Sequence, residues 1–179
     1  MKKIRILLII GLIAVAWTQS YAIIDIGAYG GYSFSGNLDA GVKNVTLGGP
    51  EYGFIAHFNS TVIPIILSVG MGPYYQSSML KYTLDGSHDF NRKTLGIDFY
   101  AQLELPIIIH PFVRVAPTIW EEADSKKQYF NGYLFGGGIA VTIFPMLQIY
   151  GEYLYNRAWV MKAGDTTGHA VHLGLRLNI

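Results

Sequence analysis

From Leu95 to Leu105 the chain alternates strictly. Leu95, Ile97, Phe99, Ala101, Leu103 and Leu105 are separated by Gly96, Asp98, Tyr100, Gln102 and Glu104. Successive side chains of a strand point to opposite faces, so a period of two divides this segment into an apolar and a polar face, which a 3.6-residue helix does not do. The alternation recurs at the start, where Ile24, Ile26, Ala28, Gly30, Tyr32 and Phe34 oppose Asp25, Gly27, Tyr29, Gly31 and Ser33. It recurs at the end, where Val171, Leu173, Leu175, Leu177 and Ile179 oppose His172, Gly174, Arg176 and Asn178. Similar segments at 51–59, 63–75, 107–119, 129–143 and 147–155 bring the predicted strands to about eight.

Segments of about ten residues or more exceed the five or six usual in soluble sheets and suit a tilted strand crossing a bilayer. Asp25, Glu51, Asp98, Glu104, Arg114, Glu152 and Arg176 all fall on the polar parity. A wall between hydrocarbon and lumen requires this, because an ionised Arg or Lys facing mid-bilayer costs ~2–4 kcal/mol. Connections near 59–61, 105–107 and 144–146 are short, whereas those at 36–49, 77–92, 121–127 and 156–168 are long and polar. Short turns at one end and long loops at the other are expected of a bacterial outer-membrane barrel with an even strand count. Tyr32, Phe34, Tyr52, Phe54, Tyr75, Tyr133, Phe135, Tyr153 and Tyr155 lie on the apolar face towards the long-loop ends. Amphipathic rings favour the headgroup level there, and Phe58 and Phe144 are candidates for the opposite belt. Pro64, Pro73, Pro111 and Pro117 fall within or near predicted strands; lacking a ladder donor, they predict bulges. The expected fold is all-β: an eight-stranded antiparallel up-and-down transmembrane β-barrel.

Residues 1–22 read as an export signal, with Lys2, Lys3 and Arg5 ahead of an apolar run from Ile6 to Ala16 and small residues at Ser20 and Ala22. Residues 23–179 are then the barrel domain, and no later apolar run approaches the ~20 residues of a membrane helix. Removing the signal takes three basic residues from thirteen and leaves ten against twelve acidic, a net charge of −2. That balance gives no field for nucleic acid, and the absence of cysteine excludes thiol catalysis and cysteine-built metal sites. Charged residues make up only 14% of the chain, far below the usual quarter of a soluble domain.

In its signal, alternating strands, loop asymmetry and C-terminal run Val171, Leu173, Leu175, Leu177, Ile179, the chain resembles the OmpA/OmpX-like family of small outer-membrane barrels. The terminal run looks like that family's assembly signal, although Ile179 stands where the family usually has Phe or Trp. The resemblance implies outer-membrane lipid and the barrel-assembly machinery as partners. Family members include anchors, adhesins, small pores and lipid-modifying enzymes, so it carries location further than activity.

Eight strands enclose an interior just wide enough for side chains or one small ligand. Tyr29, Tyr100, Phe112, Tyr150 and Leu154 should fill it, with Gly27, Gly31, Gly53 and Gly174 among the glycines that make room. Buried charges need partners. The expected polar network comprises Asp25, Asp98, Gln102, Glu104, His110, Arg114, Glu152, His172 and Arg176. A hairpin turning at 105–107 would set Asp98 roughly opposite Arg114 and Gln102 opposite His110, with Glu152 approaching Arg176 and Asp25 reaching Arg176 at the barrel seam. Such a network is either a static plug or the gate of a small pore. His57 shares the inward parity, and His88 and His169 fall in loops.

No helical zinc motif, nucleophile elbow, P-loop or dinucleotide fingerprint occurs, and no cofactor is implied. A lipid A-modifying enzyme would need a His, a Ser and a carboxylate at the outer leaflet. Ser87, His88 and Asp89 are adjacent in sequence, a poor geometry, and His169 with Ser33 or Ser35 and Asp165 is a looser set. A soluble lipocalin-like lipid carrier would turn the apolar parity inward. Surface interaction is the favoured role, with Lys81, Tyr82, Asp85, Asp89, Arg92, Lys93, Glu121, Glu122, Asp124, Lys126 and Lys127 as exposed loop candidates for an extracellular ligand.

Overall fold

Alternation is realised as strands along nearly the whole described chain. The computed structural model describes residues 24–39, 44–63, 66–83, 87–123, 126–160 and 164–179; the signal segment 1–22 lies outside them. The strands are β1 (Ile24–Asp39), β2 (Asn44–Ile63), β3 (Leu67–Thr83), β4 (Ser87–Leu103), β5 (Ile109–Ala123), β6 (Lys126–Phe144), β7 (Leu147–Val160) and β8 (Gly164–Asn178). Each pairs antiparallel with its sequence neighbours, and β1 pairs with β8, closing the barrel. At the seam Ile24 and Ile179 exchange backbone hydrogen bonds of 3.1 and 2.8 Å. Closure leaves no unpaired sheet edge.

The strands run well beyond the expected bounds on the side of the long connections. The segments expected as loops at 36–49, 77–92, 121–127 and 156–168 are largely strand, leaving connections of residues 40–43, 84–86, 124–125 and 161–163. Polar composition makes these strand ends look like loops. A strand that continues past the apolar band has no hydrophobic period to report it, yet its backbone ladder continues.

The apolar parity faces outward. Leu173 is 68% exposed, Phe58 64% and Leu175 52%, while His172 and Asp98 on the opposite parity are fully buried. A wall of this polarity is the inverse of a soluble barrel and is stable only against hydrocarbon; the lipocalin-like alternative, with its apolar parity inside, is thereby corrected. Tyr32, Phe34, Tyr52, Phe54, Phe135 and Tyr153 are exposed towards one end, and Phe58 and Phe144 towards the other.

Four lumen tyrosines each sit directly across the ladder from a glycine: Tyr29 from Gly53, Tyr74 from Gly96, Tyr100 from Gly70, and Tyr150 from Gly174. A Cβ built at each of these glycines collides with the facing ring. The rings therefore lie flat over backbone that carries no side chain, which pins the register. Gly174→Val should cost about 1–3 kcal/mol by overpacking, measured as a lower urea midpoint of the detergent-solubilised barrel. Gly151→Val, where a Cβ meets only Leu173 at 3.4 Å on the outer face, should change it little.

The proline expectation holds in part. Register shifts occur beside Pro117, between Thr118 and Trp120, and at the end of β2, between Thr61 and Ile63, close to Pro64. Phe130, opposite the first of these shifts, has φ 52°, in the left-handed region. Pro73 and Pro111 keep an unshifted register with Ile97 and Ile139. Their missing donors are accommodated differently: the β2–β3 ladder is interrupted at Gly72 and Pro73, and the β4–β5 ladder stops at Phe112, one residue short of Pro111.

Candidate functional site

The lumen is organised in three tiers, each around one arginine. The middle tier is the most connected. Arg114 of β5 donates through Nε to Asp98 Oδ1 (3.1 Å), places Nη2 2.8 Å from Oδ2 of the same carboxylate, and reaches Glu152 through Nη1 (2.9 Å). Such forked contacts are the strong form of an ion pair. Glu152 Oε1 also lies 3.1 Å from His172 Nδ1, and the other ring nitrogen, Nε2, lies 2.9 Å from Glu51 Oε2. Glu51 accepts from Ser78 Oγ (2.9 Å), and on the far side His57 Nε2 meets Asp98 Oδ2 at 2.8 Å. The chain Glu51, His172, Glu152, Arg114, Asp98, His57 thus draws on β2, β4, β5, β7 and β8.

Towards the end bearing both termini, Arg176 is caged by rings. Its guanidinium carbon is 4.8 Å from the Tyr100 centroid, 5.2 Å from Tyr150 and 5.3 Å from Phe112, a cation–π arrangement in a desolvated site. Arg176 Nη1 donates to Gln102 Oε1 (2.9 Å), Gln102 Nε2 to Glu104 Oε1 (3.0 Å), and His110 Nδ1 lies 3.3 Å from Glu104 Oε2. Tyr100 Oη donates to Asp25 Oδ2 at 2.7 Å. At the other end Arg92 pairs with Glu121 at 3.0 Å, both buried, and the Tyr74 and Thr118 hydroxyls are bonded at 3.2 Å.

All nine residues expected in the network lie on the inner side, with Glu104 the most open, its side chain 27% exposed at the rim. Asp98 and Arg114 meet, although the register sets Tyr100 rather than Asp98 opposite Arg114. Other pairings differ. The β4–β5 register sets Gln102 opposite Phe112 rather than His110, because the strands join through a longer connection, 104–108, than the turn assumed. Glu152 stands opposite His172 and binds it and Arg114, while Arg176 stands opposite Gln148 and binds Gln102. Asp25 is bonded to the Tyr100 hydroxyl and stands opposite His57 across β1 and β2.

Glu51, His57, Arg92 and Glu121 complete the network and were not in the expected set. The parity of β2 already places the first two on the inner face. Arg92 and Glu121, expected as exposed loop residues, are a buried pair; continuing the parity Asp98, Gly96, Thr94, Arg92 past the apolar band finds Arg92, whereas Glu121 is turned inward only by the register shift between Thr118 and Trp120. Lys81, Asp89, Lys93, Glu122 and Lys127 lie on strand ends rather than in loops, Lys93 opposite Glu122 and Glu122 opposite Lys127. Tyr82, Asp85 and Asp124 lie outside the described side chains.

His169 is also on a strand, β8, facing outward with Nδ1 2.6 Å from Tyr153 Oη and its ring near Phe34 and Tyr155. Ser33 is buried inside, and its hydroxyl donates to the His169 carbonyl at 3.4 Å. The two side chains lie on opposite sides of the wall, so they form no hydrolytic pair. The side chains of Ser35, Ser87, His88 and Asp165 lie outside the described residues. A concavity of about 570 Å³ on the outer wall, lined by Phe58, Met71, Phe99, Ala101 and Val113, is almost wholly apolar and lies in the hydrocarbon band.

No protein-family model matches the chain, and no curated protein is significantly similar to it in sequence. Solved structures do match. Neisserial surface protein A superposes with a TM-score of 0.60 at 13% identity, over 87% of this chain and 97% of that one. The outer membrane protein OprG of Pseudomonas aeruginosa gives 0.49 at 9% identity over 90% and 99% of the two chains, and Ail of Yersinia pestis gives 0.49 at 12% over 87% and 99%. The first likeness establishes the fold: this chain is a closed, all-antiparallel eight-stranded β-barrel of the kind built by small outer-membrane proteins.

Proposed function

We propose that the chain is a non-enzymatic barrel of a bacterial outer membrane, exported by residues 1–22 and inserted as residues 23–179, with a structural or surface-interaction role and a plugged lumen. The observation that carries this reading is the tiered interior: buried arginines, each held by carboxylates, amides or rings, occupy the space a diffusion path would need. Outer-membrane lipid is the partner of the apolar wall, and the terminal run ending at Ile179 is offered to the barrel-assembly machinery. An extracellular ligand would meet the outer strand ends, where Lys81, Asp89, Lys93, Glu122, Lys126 and Lys127 present mixed charge.

The purified protein in a planar bilayer at neutral pH should pass no sustained current. Regular channel steps would defeat the plugged reading. Lipid A from cells with and without the protein should show the same acylation pattern by mass spectrometry, and a lost or added acyl chain would assign an enzyme instead. Heat-modifiable gel migration together with outer-membrane fractionation tests the location.

A further inference from the structure

Unlike Arg92, Arg114 and Arg176, Arg157 of β7 lies on the outward parity, which it shares with Tyr153 and Tyr155. It is half-buried, and its cross-strand neighbours are Tyr133 of β6 and Thr167 of β8. Two residues nearer the apolar band, Phe135, Tyr155, His169 and Phe34 stand opposite one another in a row across β6, β7, β8 and β1. Tyr153 comes next, half exposed, with its hydroxyl 2.6 Å from His169 Nδ1. This cluster sits at the end away from both termini, which in an even-stranded outer-membrane barrel is the outer end.

A guanidinium on the outward face is costly in hydrocarbon and tolerated where the headgroups begin, so Arg157 marks that level. Its planar fork of donors matches a phosphate bidentately. With the Tyr153 hydroxyl donating to Nδ1, the His169 ring proton sits on Nε2, and the uncharged ring is a second donor. The Tyr133 and Thr167 hydroxyls flank the guanidinium. Among the described outward side chains of β6, β7 and β8 there is no carboxylate, because β6 has no acidic residue and Glu152 of β7 faces the lumen. The strand-end lysines differ: Lys93 and Lys127 both stand opposite Glu122, and Lys81 stands opposite Asp89.

We propose that the outward face of β6, β7 and β8 seats a phosphorylated lipid of the outer leaflet, its phosphate gripped by Arg157 and His169 and its acyl chains lying on the wall below. The inference rests on the outer-membrane reading. Charge complementarity selects the headgroup, since lipid phosphate is the anion found at this depth. Towards mid-bilayer the same face continues through Val171, Ile139 and Leu173, all exposed and apolar, so one lipid meets a donor cluster and a hydrocarbon-compatible surface in the order its own structure requires.

Native mass spectrometry of the barrel released from nanodiscs holding equal amounts of phosphorylated and dephosphorylated lipid A tests this, with folding of each variant checked by heat-modifiable migration. Wild type should retain the phosphorylated form with a preference of about tenfold or more, the range of a charge-assisted hydrogen bond. Arg157→Gln should retain the two forms equally. His169→Phe, which keeps a ring and removes the donor, should lower the preference in part. Lys93→Gln, on another face, should leave it unchanged. A protein that fractionates away from the outer membrane would defeat the outer-membrane reading. Equal retention of the two forms by wild type, or a loss in Lys93→Gln as large as in Arg157→Gln, would overturn this inference alone.

Discussion

Arg114→Met lowers the unfolding free energy of the barrel by about 3–5 kcal/mol, the usual consequence of removing one partner from a buried ion pair. The side chain is only 2% exposed, and the two carboxylates it bridges, Asp98 and Glu152, are fully buried. Methionine fills much of the volume but leaves both acids competing for His57 and His172. The loss is read as a shift in the urea midpoint of the barrel in micelles or liposomes. Adding Asp98→Asn and Glu152→Gln to the same chain should recover most of it, because an uncharged set of similar volume has no desolvated charge to compensate. A single variant as stable as wild type would mean that Arg114 is hydrated rather than sealed.

The middle of this network was legible from parity. Asp98, Arg114, Glu152, His172 and Arg176 sit at every-second positions opposite greasy neighbours, and a closed wall has one inside. Two kinds of information were not there. Parity gives the face but not the stagger, so a connection of 104–108 where a tighter turn was assumed displaced Gln102 from His110. Strand length was also hidden, because the hydrophobic period reports only the part of a strand that meets hydrocarbon. Arg92, Glu121 and His169 lie past that band, where polar composition reads as loop although the ladder carries on through them. Tyrosine paired with glycine was visible in composition, yet its meaning depended on register: only when Tyr150 is set opposite Gly174 does the missing Cβ become a seat for the ring.

Leu175→Arg should cost about 2–4 kcal/mol in a bilayer, the measured range for a cation placed at mid-depth on a lipid-facing strand. Leu175 is flanked by Ala28 and Ile149 and lies between the aromatic levels of Tyr153 and Phe144, so the guanidinium has a long way to reach either headgroup layer. Leu175→Ala should be far milder than a truncation in a soluble core, since acyl chains fill the space that a protein interior would leave empty. Urea titration of both variants refolded into liposomes gives the comparison. An arginine tolerated at no cost would place this face in water.

The orientation of the wall is tested most directly by methyl NMR of the barrel in lipid nanodiscs, because apolar residues occur on both parities. Ile97, Leu103, Leu173 and Leu175 face outward, whereas Ile55, Leu134 and Leu154 are buried inside. Methyl groups of the first set should show cross-relaxation with lipid acyl chains, and those of the second set only with lumen side chains such as Tyr29 and Phe112. Acyl contacts to Ile55 and Leu154 with none to Leu173 and Leu175 would invert the barrel and contradict the account.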